Sequence, residues 1–495
     1  MRPFNFNIQE KAQVILFSML MCNQGNVFAQ EKVASNVTSN DGNKKYNVLF
    51  IVADDLNCDM GCFDDPIVKT PNLDKLRQHA VRFNNSYCQY PFSGPSRASF
   101  LTGYTPDRTG VLDLKANFRD NLSAAVTLPE LYKKNGYYTA RVGKVFHANV
   151  PNDIDKPGMD DPQSWIDTYN PIGIDRTEED KVINVTPDRP VGTALCYMAT
   201  DGSDDEHTDA IGANIACTMI KKNKNKPFFI AMGFYRPHSP YVAPKKYFDL
   251  YPMDQITLPE VPEDDWANRP IYERFTDPIN WGVEETKLRE AKRGYYAGIS
   301  FMDAQIGKLL KTLEEEGVAD KTIIVFCGDN GYNLGQHGMW KKQALFEHTT
   351  RTPLIISVPG LTNDEGKSSR VVEMLDIYPT LANLCNLKNI PQDLQGKNLL
   401  PLLQNPDAAW DGAAYSVLLR TPNRFIKYMK KGERALGRTI RTERYRYTEW
   451  NDGEKGGELY DYQVDPNEND NLYNNPKYKK IQKELQEKLY KKIEK

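Results

Sequence analysis

The run Asn47-Val-Leu-Phe-Ile-Val-Ala53 leads straight into Asp54-Asp55, and this join constrains the fold more than any other stretch. An unbroken apolar run of strand length fits a strand buried on both faces, the condition met inside a parallel sheet. Pro227-Phe-Phe-Ile-Ala-Met232, Thr322-Ile-Ile-Val-Phe-Cys327 and Pro353-Leu-Ile-Ile-Ser-Val358 repeat the pattern. Helical spacing intervenes at Leu73–Ala80, with Pro71-Asn72 as its start signal, at Leu128–Gly136, which ends on Asn-Gly, and over Tyr296–Leu313. Strands alternating with helices specify an α/β sheet covered by helices on both faces. Residues 150–210 and 250–285, rich in Asp, Pro and Asn, read as long loops, usually functional or disordered at that length. After about residue 422 the texture changes. Arg438–Trp450 alternates like antiparallel strands, Glu458-Leu-Tyr-Asp461 follows, and a charged helix over Tyr478–Lys495 closes the chain. The expected organisation is a main α/β domain over 45–422 and a smaller α+β subdomain over 423–495.

The ends of the chain's buried runs carry its chemistry. The first stops at Asp54-Asp55 and another at Gly328-Asp329-Asn330-Gly331. In an open α/β sheet, ligand sites lie beyond the carboxyl ends of the strands, so two such ends can converge. Three carboxylates and one amide are hard oxygen donors, suited to Ca²⁺ or Mg²⁺ far better than to zinc. Either end alone would read as a turn or a helix cap; the pair favours a metal site. His147 closes Val142-Gly-Lys-Val-Phe-His147, His238 closes Phe234-Tyr-Arg-Pro-His238, and His337 lies in Leu334-Gly-Gln-His-Gly338 just ahead of Lys341 and Lys342. Histidine exchanges protons near neutral pH, and lysine can hold an anion. His79 and His348 read as structural, and His207 is left open between structure and substrate contact.

Phe92-Ser-Gly-Pro-Ser-Arg97 marks a helix start, since Pro95 suits a first turn. Ser93 is then either a plain N-cap or a side chain placed where helix N–H groups and the dipole attract an anion, with Arg97 adding a fixed charge. The chain has 63 basic against 66 acidic residues, a formal net charge of −3, so no global basic field marks a nucleic-acid partner. Anion recognition has to be local.

Arg2 and Lys11 precede the apolar Val14–Met21, and Val27-Phe-Ala29 offers small residues for cleavage, the pattern of a secretory signal peptide over 1–29. Residues 30–44 read as a flexible polar lead-in. Val14–Met21 is too short to span a bilayer, and no later stretch approaches ~20 apolar residues. The expectation is an exported protein, periplasmic or secreted, with no transmembrane segment. Met19-Leu-Met21 matches a lipobox poorly, which argues against a lipid on Cys22. The remaining cysteines (58, 62, 88, 196, 217, 327, 385) are odd in number and show no C-x-x-C pair, so buried or idle thiols are expected.

Ser93-Gly-Pro-Ser-Arg97 with Leu101-Thr-Gly103 resembles the signature of the type I, formylglycine-dependent sulfatases at every fixed position. Within that family the iduronate-2-sulfatase branch is the most similar, through Val142–His147, Arg236-Pro-His238, Leu334–Gly338, Ile440-Arg-Thr and Tyr445–Trp450. The resemblance implies an alkaline-phosphatase-like fold, a large mixed sheet sandwiched by helices with a smaller C-terminal α+β subdomain. It implies that Ser93 is oxidised to formylglycine (3-oxoalanine), whose hydrate carries two hydroxyls, one to attack sulfur and one to collapse and expel sulfate. A plain serine would leave a stable ester.

The other roles follow from the resemblance. Asp54, Asp55, Asp329 and Asn330, with residue 93, would hold Ca²⁺, ahead of Mg²⁺. Arg97, Lys144 and Lys342 would hold the diol and sulfate oxygens. His147 would take a proton, and His238 would act on the leaving oxygen. Lys144, His238 and Lys342 would also bind substrate. The chain departs from the iduronate branch in having Asn330 where that branch has histidine, and Lys341 is an extra lysine. A serine at position 93 implies a radical-type, serine-specific maturase as partner. The implied substrate is a sulfated carbohydrate, a 2-O-sulfated uronic acid as in heparan or dermatan sulfate, or ulvan. The alternatives are a phosphoesterase of the same superfamily and a non-catalytic glycan-binding protein with unmodified Ser93.

Overall fold

A computed structural model describes residues 45–362 and 364–494; the expected signal peptide and lead-in lie outside them. Eight strands form the main sheet: β1 (Asn47–Ala53), β2 (Val81–Tyr87), β3 (Tyr138–Gly143), β4 (Asp167–Tyr169), β5 (Phe228–Gly233), β6 (Thr322–Gly328), β7 (Leu354–Ser357) and β8 (Gly366–Glu373). Their order is β8-β2-β7-β6-β1-β5-β3-β4. From β6 through β1, β5 and β3 to β4 the strands run parallel, and β8 is parallel to β2. Only β7 opposes its neighbours β2 and β6, so the sheet is mixed.

Why β1 has no polar face is visible in its packing. Leu49, Ile51 and Ala53 enter one core, and Val48, Phe50 and Val52 enter another. Successive strand residues point to opposite faces, so a strand covered on both sides must be apolar at every position. The first face is covered by helices Pro71–Arg77, Thr208–Asn223 and Glu285–Glu315, the second by Ser93–Thr102, Leu128–Lys134 and Ile377–Leu384.

A second, antiparallel sheet follows the chain order β9 (Ala414–Arg420), β10 (Ala435–Arg441), β11 (Tyr445–Trp450) and β12 (Gly457–Asp461). Its first strand thus lies ahead of residue 423. The helix Lys479–Ile493 buries Leu485 and Leu489 against Tyr415, Val417, Ile440 and Trp450. Glu347 ties the two sheets together: it accepts from Tyr87 Oη at 2.8 Å at the end of β2 and pairs with Arg446 at 2.6 Å on β11.

The 150–210 stretch expected as loop contains β4, a short helix (Ile174–Thr177), and strands Ile183–Asn184 and Cys196–Thr200, which pair with each other and with Tyr241–Pro244. These strands are short and take their order from neighbours far along the chain, so no local periodicity announces them. The seven cysteines of the described residues are all free. No helix among the described residues is long and apolar enough to cross a membrane.

Candidate active site

Because β1 and β6 are parallel neighbours with Ala53 opposite Gly328, the acids that follow them emerge side by side. The Asp55 N–H donates to Asp329 Oδ1 at 2.9 Å, and the Asp329 N–H to the Ala53 carbonyl at 3.1 Å. Ligand oxygens of Asp54, Asp55 and Asp329 come within 4.8 Å of one another, all buried. The amide oxygen of Asn330 is buried beside them without a hydrogen-bond partner, while its Nδ2 donates to Asp55 Oδ1 at 3.1 Å. A set of crowded carboxylates with an orphaned amide oxygen fits a hard divalent cation.

Strands β3 and β5 bring the next groups. Gly143, at φ +71°, and Gly233 sit where a Cβ would come within 2.2 and 2.0 Å of backbone oxygens, so the two paired strand ends lie in close backbone contact where the chain turns into Lys144. Lys144 Nζ pairs with Asp54 Oδ2 at 2.6 Å. His147, in the same turn, is buried with neither ring nitrogen bonded. Beyond β5, His238 Nδ1 lies 2.5 Å from the Ser239 carbonyl, which can only accept. Nδ1 therefore carries the proton, and Nε2, 3.6 Å from Asp55 Oδ2, carries the lone pair of the neutral ring.

The helix Ser93–Thr102 begins at the serine itself. Its N-cap is Phe92, and Ser93 makes no capping bond, so the plain N-cap reading does not apply. Instead Ser93 Oγ donates to Asp54 Oδ1 at 3.0 Å and accepts from Lys342 Nζ at 2.9 Å, and Lys342 also pairs with Asp55. Arg97, one turn on, is fully buried. Its donors reach Asp329 Oδ2 at 2.8 Å, Asp54 Oδ1 at 3.4 Å, and the carbonyls of Lys144 and Val145.

The charges set one another. Burial opposes ionisation of Asp54, yet the charges of Lys144, Arg97 and Lys342 outweigh it and hold the carboxyl well below its usual range. Burial, with the charges of Asp54 and Asp329, holds Asp55 up at about 6 in spite of Lys342. Burial and the neighbouring Lys144 hold His147 well below an ordinary histidine, and burial with Lys342 and Lys144 does the same to His238. Both rings are neutral at pH 7.

One cavity of about 330 Å³ is lined by Asp55, Ser93, Lys144, His147, His238 and Lys342. Asp54, Arg97, Asp329 and Asn330 are not in its lining. Two features escaped sequence reasoning. Lys341 also lines the cavity, and so do Asn149, Asn152, Gly192 and Thr193 from the 144–193 loops. For Lys341 the doubled lysine was a visible signal; for the loop residues there was none. His207 bonds Thr200 Oγ1 at 2.9 Å, and His337 faces Asp265 at 3.2 Å, so both are structural.

The profile of the family described as Sulfatase matches residues 46–387, and that described as N-sulphoglucosamine sulphohydrolase, C-terminal, matches residues 335–495. The chain is 31% identical to iduronate 2-sulfatase of Homo sapiens, over 89% of this chain and 94% of that one. It is 29% identical to an ulvan-active sulfatase of Formosa agariphila, over 98% of this chain and 87% of that one. The solved phosphonate monoester hydrolase of Agrobacterium radiobacter superposes with a TM-score of 0.73 at 23% identity, covering 90% of this chain and 95% of that one, a likeness of fold.

Proposed function

This chain belongs to the sulfatase family and is a sulfuric ester hydrolase, and on that premise we propose that it removes sulfate from a sulfated polysaccharide or its oligosaccharides, with residue 93 as nucleophile. The observation that carries this reading is the setting of Ser93 Oγ, held between Asp54 at 3.0 Å and Lys342 at 2.9 Å on the cavity wall. As formylglycine, made before export by a serine-specific radical maturase, residue 93 supplies an aldehyde hydrate with two hydroxyls on one carbon. Asp54, Asp55, Asp329 and the Asn330 amide oxygen would hold Ca²⁺, ahead of Mg²⁺, which supplies a Lewis acid beside that residue.

The chain's own residues do the rest. Lys144 and Lys342 present ammonium groups to the cavity, where they offset the charge of the sulfate oxygens. Arg97 spends its donors on Asp54, Asp329 and main-chain carbonyls, and so acts as a positioning residue that locks the carboxylates and the helix start together. His147, neutral and without hydrogen-bond partners, is free to accept a proton from residue 93. His238 can donate at Nε2 only when protonated, since Nδ1–H is committed to Ser239. The anionic ester and the nearby Asp55 favour that charged form, which then protonates the leaving oxygen.

The similarity to an iduronate 2-sulfatase and an ulvan-active sulfatase supports a 2-O-sulfated uronic acid of heparan sulfate, dermatan sulfate or ulvan as substrate. The N-terminal pattern supports export, and the proposed division is a catalytic domain over 45–422 and a smaller subdomain over 423–495, whose sheet takes its first strand, β9, from the catalytic side of that boundary. The test is kcat/KM on a sulfated uronate disaccharide and on a phosphate-ester control, for matured wild type and Ser93→Ala. The variant is expected to fold normally and lose essentially all turnover. Substantial residual turnover rejects Ser93 as nucleophile, and preference for the phosphate ester rejects the sulfatase chemistry.

A further inference from the structure

Three lysines line the cavity, and two of them are spoken for: Lys144 pairs with Asp54 and Lys342 with Asp55. Lys341 is as deeply buried, at 6% exposure. Among the described residues no carboxylate lies within 4.0 Å of its Nζ, whose one hydrogen bond is a long one, 3.4 Å, to the Gly192 carbonyl. A buried ammonium normally has a partner.

Its backbone is unusual as well. Adjacent residues of extended chain point to opposite sides, yet Lys341 and Lys342 both reach this cavity, and Lys341 holds φ at +71°. A left-handed conformation costs a lysine about 1 kcal/mol and persists where the surroundings impose it. The charge around Lys341 is of the wrong sign to satisfy it. Lys342 and Arg189 both repel it, and Asp55, which attracts it, is already paired with Lys342. Arg189 has no carboxylate within 4.0 Å either and is held between Trp281 and Phe425, at 3.9 and 4.0 Å from their ring centres. The wall thus carries, in Lys341, a positive charge that the protein leaves unmatched, and Arg189, outside the lining, adds to it.

We propose that Lys341 binds a second anionic group on the substrate, a carboxylate or a second sulfate, so that the cavity selects sugars carrying two negative charges over singly sulfated neutral ones. This rests on the cavity being the sulfate-ester site proposed above. Lys144 and Lys342 then serve the sulfate that is cleaved, and Lys341 reads its companion.

The test compares three disaccharides that differ at one group: a 2-O-sulfated uronate, its carboxyl-reduced counterpart, and a counterpart with a second sulfate in place of the carboxylate. Each is assayed for kcat/KM with wild type, Lys341→Ala and Lys341→Arg. Wild type is expected to prefer a doubly charged substrate over the reduced one by about ten- to a hundredfold, the range for one charge-assisted hydrogen bond. Which doubly charged substrate wins identifies the group. The preference should fall to about one in Lys341→Ala and persist in Lys341→Arg. Because the readout is a ratio within each variant, partial loss of folded protein does not affect it. A preference that survives in Lys341→Ala, or a wild type that cleaves the reduced sugar equally well, overturns the assignment while leaving the sulfatase reading intact. A wild type that cleaves none of the three but hydrolyses phosphate esters refutes both.

Discussion

Replacing Lys341 by methionine removes the ammonium while keeping a stem of similar length and the same Cβ, so the cost of the left-handed φ is unchanged. Burial, reinforced by Lys342 and Arg189 and only partly offset by Cys196 and Asp55, pushes this lysine down to about 7, against about 10.4 in an unfolded chain. Below pH 7 it is charged in both states, and the full penalty of burying the charge opposes folding, about 5 kcal/mol at about 1.4 kcal/mol per pH unit. As pH rises the folded chain sheds the proton first, and the penalty shrinks to about 2 kcal/mol at pH 9. It is gone near the unfolded pKa. Lys341→Met should therefore stabilise the protein, and more so in acid. For a chain of this length 1 kcal/mol corresponds to about 1 °C in Tm, so the expected gain is about 5 °C at pH 6 and about 2 °C at pH 9. Differential scanning calorimetry of wild type and variant at both pH values measures it. A gain that does not change with pH, or a loss of stability at pH 6, would refute the idea of an unmatched buried charge.

Chelation should lower Tm, and Ca²⁺ at a hundred times its Kd should restore about 2.7 kcal/mol of stability; in Asp329→Asn the Ca²⁺-dependent shift should be absent in the same melting experiment. His147→Leu should cut kcat by about 10²- to 10⁴-fold, with no loss of Tm, since neither ring nitrogen has a partner to leave behind. Glu347→Gln should destabilise by about 3 kcal/mol in denaturant titrations, because it strands Arg441 and leaves Arg446 with Glu468 alone at the joint between the sheets.

Much of the fold was legible in local pattern. Strands at 47–53 and 322–327 were written in unbroken apolar runs, and the helices at 71–77 and 128–134 in Pro starts and helical spacing. The helix Thr208–Asn223 was not, because Ala210, Gly212, Ala213 and Ala216 present small side chains where bulky apolar ones would mark a face. The short β4 edge strand and Cys196–Thr200 were hidden for another reason: their pairing partners lie tens of residues away.

The amino-acid order by itself determined that acids follow two buried strands and that Ser93 opens a helix ahead of Arg97, because these are relations between near neighbours. What only the tertiary structure decided is how they meet. Register between β1 and β6 sets Asp55 against Asp329, helix placement puts Ser93 between Asp54 and Lys342, and the close backbone contact of Gly143 with Gly233 leads the chain into Lys144, whose Nζ meets Asp54. Resemblance singled out Lys342 and left Lys341 as an extra lysine, but sequence could not say which of the two has a carboxylate partner. The difference is a partner carboxylate from a strand far away in the chain, and burial makes the presence or absence of that partner decisive.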